Sequence, residues 1–172
     1  MRVVSIEDAR WDAVEDGVEI LREGDATGAI ALLTRVSEED PDNEYALHYL
    51  GAAYFETQEW QRSLKAYLSA LELSPGYLGA IIGAGHTLRM MGELDKALRM
   101  GKQALLKRKD DQDALYLMGL AHYQRGDKAA AIDYFERFLL SRPEAEVRTE
   151  IQGLLQVLRG QVVPLEEDDQ DD

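Results

Sequence analysis

The side chains best suited to chemistry in this sequence are its three histidines, His48, His86 and His122. Histidine titrates near neutral pH and is a common metal ligand, so a matched row of histidines would indicate a catalytic or metal site. His48 and His86 could approach each other and sense pH near about 6.5. Neither has the acidic or histidine companions that metal sites show. We therefore interpret them as ordinary polar groups between helices and predict no metal site.

Catalytic motifs are absent from the sequence. It has no cysteine, which excludes disulfides, thiolate metal sites and cysteine nucleophiles. It has no glycine-rich phosphate loop, no His-Glu-x-x-His and no Gly-x-Ser-x-Gly. Its Asp-rich C-terminal segment lacks the spaced glycine of a calcium loop. We predict a protein that is not an enzyme and needs no cofactor.

Composition and charge limit the partners of this chain. Its 172 residues are 45% apolar and 30% charged, which suits one globular, helix-rich domain. Residues 1–43 hold 12 acidic and 4 basic side chains, and residues 161–172 add six acidic ones. This charge repels nucleic acids and anionic membranes. Because there is neither a secretory signal nor an apolar stretch of about twenty residues, we expect a cytoplasmic protein without membrane insertion.

An internal repeat dictates the elements that must position these side chains. Glycines recur every 34 residues, a small residue follows each glycine after 12 residues, and in three units a proline follows after 12 more. The glycines are Gly17, Gly51, Gly85 and Gly119, the small residues are Ala29, Ser63, Ala97 and Ala131, and the prolines are Pro41, Pro75 and Pro143. These coincidences at one period predict four similar structural units.

Each unit predicts two amphipathic helices joined by a short turn. In residues 44–75, apolar side chains fall at helical spacing before and after a turn near Gln58. Such helices form an antiparallel hairpin, in which the repeated glycine should face the small residue of the second helix. We predict helices at about 6–23, 26–38, 44–57, 60–73, 78–91, 94–107, 112–125 and 128–141, and a capping helix at about 144–159. Ser5 is the predicted first N-cap.

This pattern resembles the tetratricopeptide repeat over about residues 6–143. The second unit matches it at Leu47, Leu50, Gly51, Tyr54, Ser63, Tyr67, Ala70 and Pro75, and the fourth at Leu115, Met118, Gly119, His122, Ala131, Phe135, Phe138 and Pro143. The resemblance implies an all-α fold, a right-handed superhelical solenoid of antiparallel helix hairpins. It further implies one domain over 1–159, with repeats at about 10–43, 44–77, 78–111 and 112–143. Residues 160–172 are expected to form an acidic, disordered tail.

The resemblance also implies a ligand-binding groove on the concave side, lined by the first helix of each unit. The family's ligand-facing positions correspond here to Val14, Val18, Tyr45, His48, Ala52, Phe55, Ile82, His86, Arg89, Tyr116, Leu120 and Tyr123. Because other positions account for the core, these residues would form surplus apolar and aromatic surface, which usually marks an interaction site. We predict that the groove binds a peptide or helix segment of a partner protein. The alternative is packing between units.

The resemblance implies a scaffold or adaptor and leaves other uses of the groove open. One is a small dedicated chaperone of a hydrophobic client, similar to the translocator chaperones of type III secretion. Another is self-association into a homo-oligomer. The family's carboxylate clamp for heat-shock chaperone tails corresponds to Val14, Val18, Tyr49, Gly79 and Gly83, none of which can hold a carboxylate. We interpret the basic residues of the third unit, Lys96, Arg99, Lys102, Lys107, Arg108 and Lys109, as a solvated face rather than a docking site.

Overall fold

The computed structural model describes residues 5–161, and within that range the regular elements are all α-helices. They are α1 Ile6–Arg22, α2 Ala26–Glu39, α3 Glu44–Glu56, α4 Trp60–Leu73, α5 Leu78–Met90, α6 Leu94–Lys107, α7 Gln112–Arg125, α8 Lys128–Leu140 and α9 Ala145–Leu158. Each begins and ends within one residue of the predicted bounds, and the all-α solenoid is confirmed. The acidic side chains of the predicted disordered tail lie outside the described residues.

Local hydrogen bonds explain where several helices begin. The amide of Asp8 donates to the Ser5 hydroxyl at 3.0 Å, and the Ser5 amide donates to the Asp8 carboxylate at 3.4 Å. This reciprocal pair is a capping box, and it confirms Ser5 as the N-cap of the first helix. Asp25, Asn43 and Asp111 cap α2, α3 and α7 in the same position, each accepting from an amide three residues ahead. The caps therefore fix the start of four helices.

A common turn joins the two helices of every unit. It closes with a hydrogen bond from an amide to the carbonyl five residues earlier, as in Asp25 to Ile20 at 3.1 Å and Glu59 to Tyr54 at 2.8 Å. The turn residue takes a left-handed backbone, which glycine adopts without steric cost. The turn residues are Gly24, Gly92 and Gly126, with φ of 91°, 78° and 88°, and Gln58, with φ of 60°. The second unit thus makes the same turn without glycine.

Replacing Gln58 by glycine should stabilise the protein. The Gln58→Gly change removes the steric cost of a left-handed non-glycine residue, so we expect a gain of about 0.5–1 kcal/mol in the free energy of unfolding. Urea denaturation followed by circular dichroism measures it. The matched control is Gly92→Gln, which should lose a similar amount, since a β-carbon there meets no atom within 4 Å and only the backbone is strained. Destabilisation by Gln58→Gly would contradict this explanation of the turn.

The repeated glycine makes room for a large side chain on the second helix. A β-carbon on Gly51 would lie 2.8 Å from ring atoms of Tyr67, and one on Gly119 would lie 2.5 Å from the ring of Phe135. The sequence prediction that this glycine simply faces a small residue was therefore incomplete. Ser63 does contact the glycine, through a hydrogen bond from its hydroxyl to the Gly51 carbonyl at 2.8 Å. The glycine lets an aromatic ring lie against the backbone of the first helix.

Contacts between hairpins give the stack its curvature. Among the first helices, α1 contacts α3, α3 contacts α5 and α5 contacts α7, whereas within residues 5–161 the second helices do not contact one another. The first helices therefore line the inner, concave side, and α2, α4, α6 and α8 form the outer side. Helix α9 packs on α8 and buries Ile151 and Leu155 against Phe135 and Phe138. This arrangement presents the predicted ligand-facing positions on one continuous face.

Candidate functional site

Aromatic side chains cover the concave face in its N-terminal half. The ring centroids of Trp11 and Tyr45 are 5.7 Å apart, and those of Tyr45 and Tyr77 are 6.0 Å apart. His48 continues the row, with its ring centroid 4.6 Å from that of Tyr77. The Tyr45 hydroxyl donates to the Glu7 carboxylate at 3.2 Å, which ties α3 to the start of α1. These interactions make this half of the face a packed aromatic surface.

A cleft of about 300 Å³ opens in the C-terminal half of the same face. Side chains from α3, α4, α5 and α7 converge on it, so it lies across three consecutive units. Its lining residues are Phe55, Tyr67, Gly83, His86, Arg89, Tyr116 and Leu120. The Tyr116 ring packs 5.2 Å from Phe138 and 6.1 Å from His86, measured between centroids. The walls are thus mainly aromatic and aliphatic, with one guanidinium group.

Two glycines on α5 shape the floor of this face. A β-carbon on Gly79 would lie 2.9 Å from the His48 ring, and one on Gly83 would lie 2.3 Å from the Tyr67 ring. Because neither glycine has a side chain, both rings can lie directly on α5. Glycine is costly inside a helix, by about 1 kcal/mol each relative to alanine. The close approach of the two rings offsets that cost and gives a physical reason for the glycines.

Burial controls the charge of the groove. It lowers the pKa of His48 to about 4, and burial together with the nearby Arg89 lowers the pKa of His86 to about 4. Both imidazoles are therefore neutral at pH 7. Burial also lowers the pKa of the Arg89 guanidinium and raises that of the Tyr67 hydroxyl. At neutral pH, Arg89 is the one formally charged side chain among the residues that line the cleft.

Most of the predicted groove residues lie on the concave face. Phe55, His86, Arg89, Tyr116 and Leu120 line the cleft together. The remaining half-buried ones, Tyr45, His48 and Ala52, belong to the adjoining face of α3. Tyr123 is 44% exposed near the end of α7 and does not line the cleft. The register taken from the repeat therefore brings five of the predicted residues to one cavity.

Three predicted groove residues instead belong to the core. Val14 is fully buried and Val18 is 3% exposed, both within the cluster formed by α1, α2 and α3. Ile82 is 8% exposed and packs with Ile81 and Ala104. Their branched side chains are short, so they end between neighbouring helices instead of reaching the groove surface. These three residues are therefore not the exposed surface that the sequence predicts, and their part in ligand binding stays a prediction.

Sequence reasoning missed the contribution of Tyr67 to the cleft and the packing role of Gly79 and Gly83. In the sequence Tyr67 is only one of the residues that match the repeat pattern. It is buried, at 5% exposed, and it also forms part of the cleft wall. The two glycines are four residues apart, which places them on one face of a helix. Three glycines in the 13 residues of α5 were the signal that another group approaches this helix closely.

The histidines do not assemble into a metal site in the described part of the chain. His48 contacts Tyr49, Tyr67 and Tyr77, whereas His86 contacts Tyr116 on the next unit. Over residues 5–161, no three His, Asp or Glu side chains are grouped as metal ligands would be. In the same range no helix combines the length and apolar character needed to cross a bilayer.

Family models for the tetratricopeptide repeat match this chain over residues 21–80 and 82–146. The two matches together cover α2 through α8 and agree with the helix hairpins described above. The chain belongs to the tetratricopeptide repeat family. Proteins of this family are generally protein-interaction modules without catalytic activity.

The curated relatives that this chain matches are much longer than it is. It is 26% identical over 128 residues to Superkiller complex protein 3 of Homo sapiens and 29% identical over 127 residues to the CTR9 homolog of Arabidopsis thaliana. These matches cover 74% and 73% of this chain but only 8% and 12% of the relatives. The chain thus spans about a tenth of the length of the relatives it matches.

Solved tetratricopeptide repeat proteins share the fold. TTC0263 of Thermus thermophilus superposes with a TM-score of 0.73 at 20% identity, covering 88% of this chain and 82% of that one. MamA of Desulfovibrio magneticus gives 0.70 at 18% identity, covering 98% and 100%. The second such domain of human RPAP3, solved in complex with an HSP70 peptide, gives 0.62 at 22% identity, covering 67% and 97%.

Proposed function

We propose that this protein is a non-catalytic scaffold or adaptor whose concave groove holds an apolar or amphipathic segment of a partner protein. The observation that carries the proposal is the cleft of about 300 Å³ built from Phe55, His86, Arg89, Tyr116 and Leu120. Aromatic and arginine side chains that surround a concave site are the residue types that dominate protein binding energy. The cytoplasmic location expected from the sequence remains a prediction.

The size and position of the cleft favour a segment of a protein over a small molecule. A volume of about 300 Å³ lies at the lower limit of small-molecule pockets and suits one or two anchoring side chains. The aromatic surface formed by Trp11, Tyr45 and Tyr77 continues along the same face, so a longer chain has further apolar contacts beyond the cleft. An extended segment or a helix would use both.

The groove proposed here differs from a clamp for heat-shock chaperone tails. The RPAP3 domain was solved with an HSP70 peptide, so this fold accommodates peptides in at least one distant relative. In this chain the clamp positions Val14 and Val18 are buried, and Gly79 and Gly83 lie under the rings of His48 and Tyr67. These positions supply no side-chain donor for a carboxylate, so we expect a different ligand.

Capture of a partner from a lysate of the source organism tests the proposal. The intact chain is compared with a cleft variant, Phe55→Glu/Leu120→Glu, which places two carboxylates in the apolar site. The matched control is Leu106→Glu/Leu140→Glu, since these leucines are 88% and 82% exposed on α6 and α8. We expect the cleft variant to weaken binding at least about thirtyfold, as loss of a hot spot does, and the control to bind normally.

Circular dichroism spectra and melting curves must first show that all three proteins are equally folded. Phe55 packs 5.1 Å from Trp60 between ring centroids, so Leu120→Glu alone is the second variant if the double change unfolds the protein. Retention of the same partner by intact and cleft-variant chains would show that the groove is not the binding site.

A further inference from the structure

The Arg89 guanidinium lies in the cleft without a carboxylate partner. Its Nε is buried and has no hydrogen-bond acceptor, and its Nη1 reaches only the Gln124 amide oxygen, at 3.3 Å. Within residues 5–161, no acidic side chain lies within ion-pair distance of Arg89. In contrast, Arg10 and Arg137 each pair with an aspartate at 2.9 Å and 2.8 Å. Arg89 is thus partly desolvated without charge compensation, which is costly in a protein.

The groups that line the cleft around Arg89 come from four helices, and none of these lining groups carries a negative charge at neutral pH. Phe55 faces it from α3, Tyr67 from α4, and Tyr116 and Leu120 from α7. His86 from α5 is neutral at pH 7. Burial raises the pKa of the Tyr67 and Tyr116 hydroxyls, helped by the carboxylates of Glu56 and Glu150 respectively, so both hydroxyls stay protonated. A segment that closed over this cleft would remove the remaining water from Arg89, so it must itself provide the compensating group.

We propose that the segment held in this groove carries an Asp or Glu side chain that pairs with Arg89, next to a large apolar side chain that fills the cleft. This inference rests on the proposed function of the groove and names the chemistry of its ligand. Arginine recognises carboxylates through two parallel N–H donors, and the pair gains strength in an apolar setting. Segments without a carboxylate would leave the guanidinium buried and unpaired, so Arg89 also discriminates against them.

A carboxylate fits better than a phosphorylated side chain. A phosphate carries nearly two negative charges and three acceptor oxygens at neutral pH, and its sites usually gather several cationic groups. Only one cationic side chain lines this cleft. The one positive charge of Arg89 is balanced by one carboxylate, so the cleft favours Asp or Glu over a phosphorylated side chain. The clamp of related domains would lie at Gly79 and Gly83, whereas Arg89 lies nearly two turns of α5 beyond Gly83 and nearly three beyond Gly79, so it is a separate position.

Selection from a random library of displayed dodecapeptides tests the inference. The full chain, Arg89→Gln and Arg89→Glu are each used as bait, with Arg99→Gln as the matched control because Arg99 is exposed on the outer helix α6. All four must have the same helix content by circular dichroism. We expect the full chain and the control to enrich peptides with Asp or Glu beside Leu, Ile or Phe. Arg89→Gln should keep the apolar preference without the acidic one, and Arg89→Glu should enrich Lys or Arg.

Binding of one enriched peptide, measured by fluorescence anisotropy, shows how strongly Arg89 and the acidic residue of the peptide interact. Replacing its acidic residue by the corresponding amide should weaken binding to the full chain at least about tenfold and binding to Arg89→Gln less than about twofold. Acidic enrichment that persists with Arg89→Gln, or apolar enrichment without acidic residues with the full chain, would overturn the role of Arg89 but leave the groove as the binding site. Enrichment of no sequence by any bait would instead contradict the proposed function.

Discussion

Replacing Phe135 by alanine should reduce the free energy of unfolding by about 3–5 kcal/mol. Phe135 is fully buried, and its ring lies against Gly119, where a β-carbon would come within 2.5 Å. The same ring belongs to the cluster with Ile151 and Leu155 that holds α9 on α8. Truncation would leave a cavity that the glycine opposite cannot fill. Urea denaturation followed by circular dichroism measures the loss.

The control for this change is Leu140→Ala on the same helix. Leu140 is 82% exposed, so its truncation should alter stability by less than about 0.5 kcal/mol. Fluorescence of Trp11 and Trp60, which lie in the first two units, shows whether the N-terminal half unfolds with the rest. A loss below about 1 kcal/mol for Phe135→Ala would contradict the role assigned to the ring.

Acidification from pH 7 to pH 4.5 should destabilise the protein through His48 and His86. Both have a pKa of about 4 in the folded chain, chiefly because they are buried, against about 6.5 when unfolded. Between these values the unfolded chain binds more protons, so stability rises with pH there and falls as pH is lowered. We expect the free energy of unfolding to fall by about 2 kcal/mol for each histidine. Urea denaturation at both pH values measures it.

The variants His48→Gln and His86→Gln isolate this effect, because glutamine does not titrate. Each variant should lose the part of the pH dependence of stability that its histidine causes, and the double variant should lose both parts. Carboxylates common to all the proteins cancel in the comparison. Arg137 donates a hydrogen bond to Asp110 and His122 donates one to Asp127, and these bonds hold the pKa of both carboxyls below its ordinary value. Protonation of the two carboxylates therefore affects stability mainly below pH 4.5. An unchanged pH dependence in the double variant would show that the histidines are not buried as described.

The helices were predictable from the sequence because the repeat constrains them four times. A glycine every 34 residues fixed the phase of the units, and the turn signals at Gly24, Gly92 and Gly126 fixed the hairpins. Gln58 takes the same left-handed turn although it is not a glycine, and the turn was predictable there from the glycines at the same place in the other three units. What the repeat could not show is which side chain fills the space above each glycine. That depends on three-dimensional packing, as the Tyr67 ring over Gly51 and Gly83 shows.

The candidate site was predictable to the extent that helix register decides which side chains face inward. Register placed Phe55, His86 and Leu120 on the concave face, and the structure brings them to one cleft. It could not foresee that Val14 and Val18 stay below the surface, because depth depends on side-chain length and on the neighbouring helix. Nor could it reveal that Arg89 lacks an acidic partner in the described chain, since pairing depends on distances between units.

Photo-crosslinking in cells of the source organism tests the groove most directly. A photoreactive amino acid is placed at Leu120 in the cleft or at Leu106 on the outer face, and the crosslinked proteins are identified by mass spectrometry. We expect Leu120 to crosslink a partner protein through a segment that has apolar side chains, and Leu106 not to crosslink that partner. Crosslinking of the same partner from Leu106 but not from Leu120 would show that binding occurs on the outer face and that the groove is not the site.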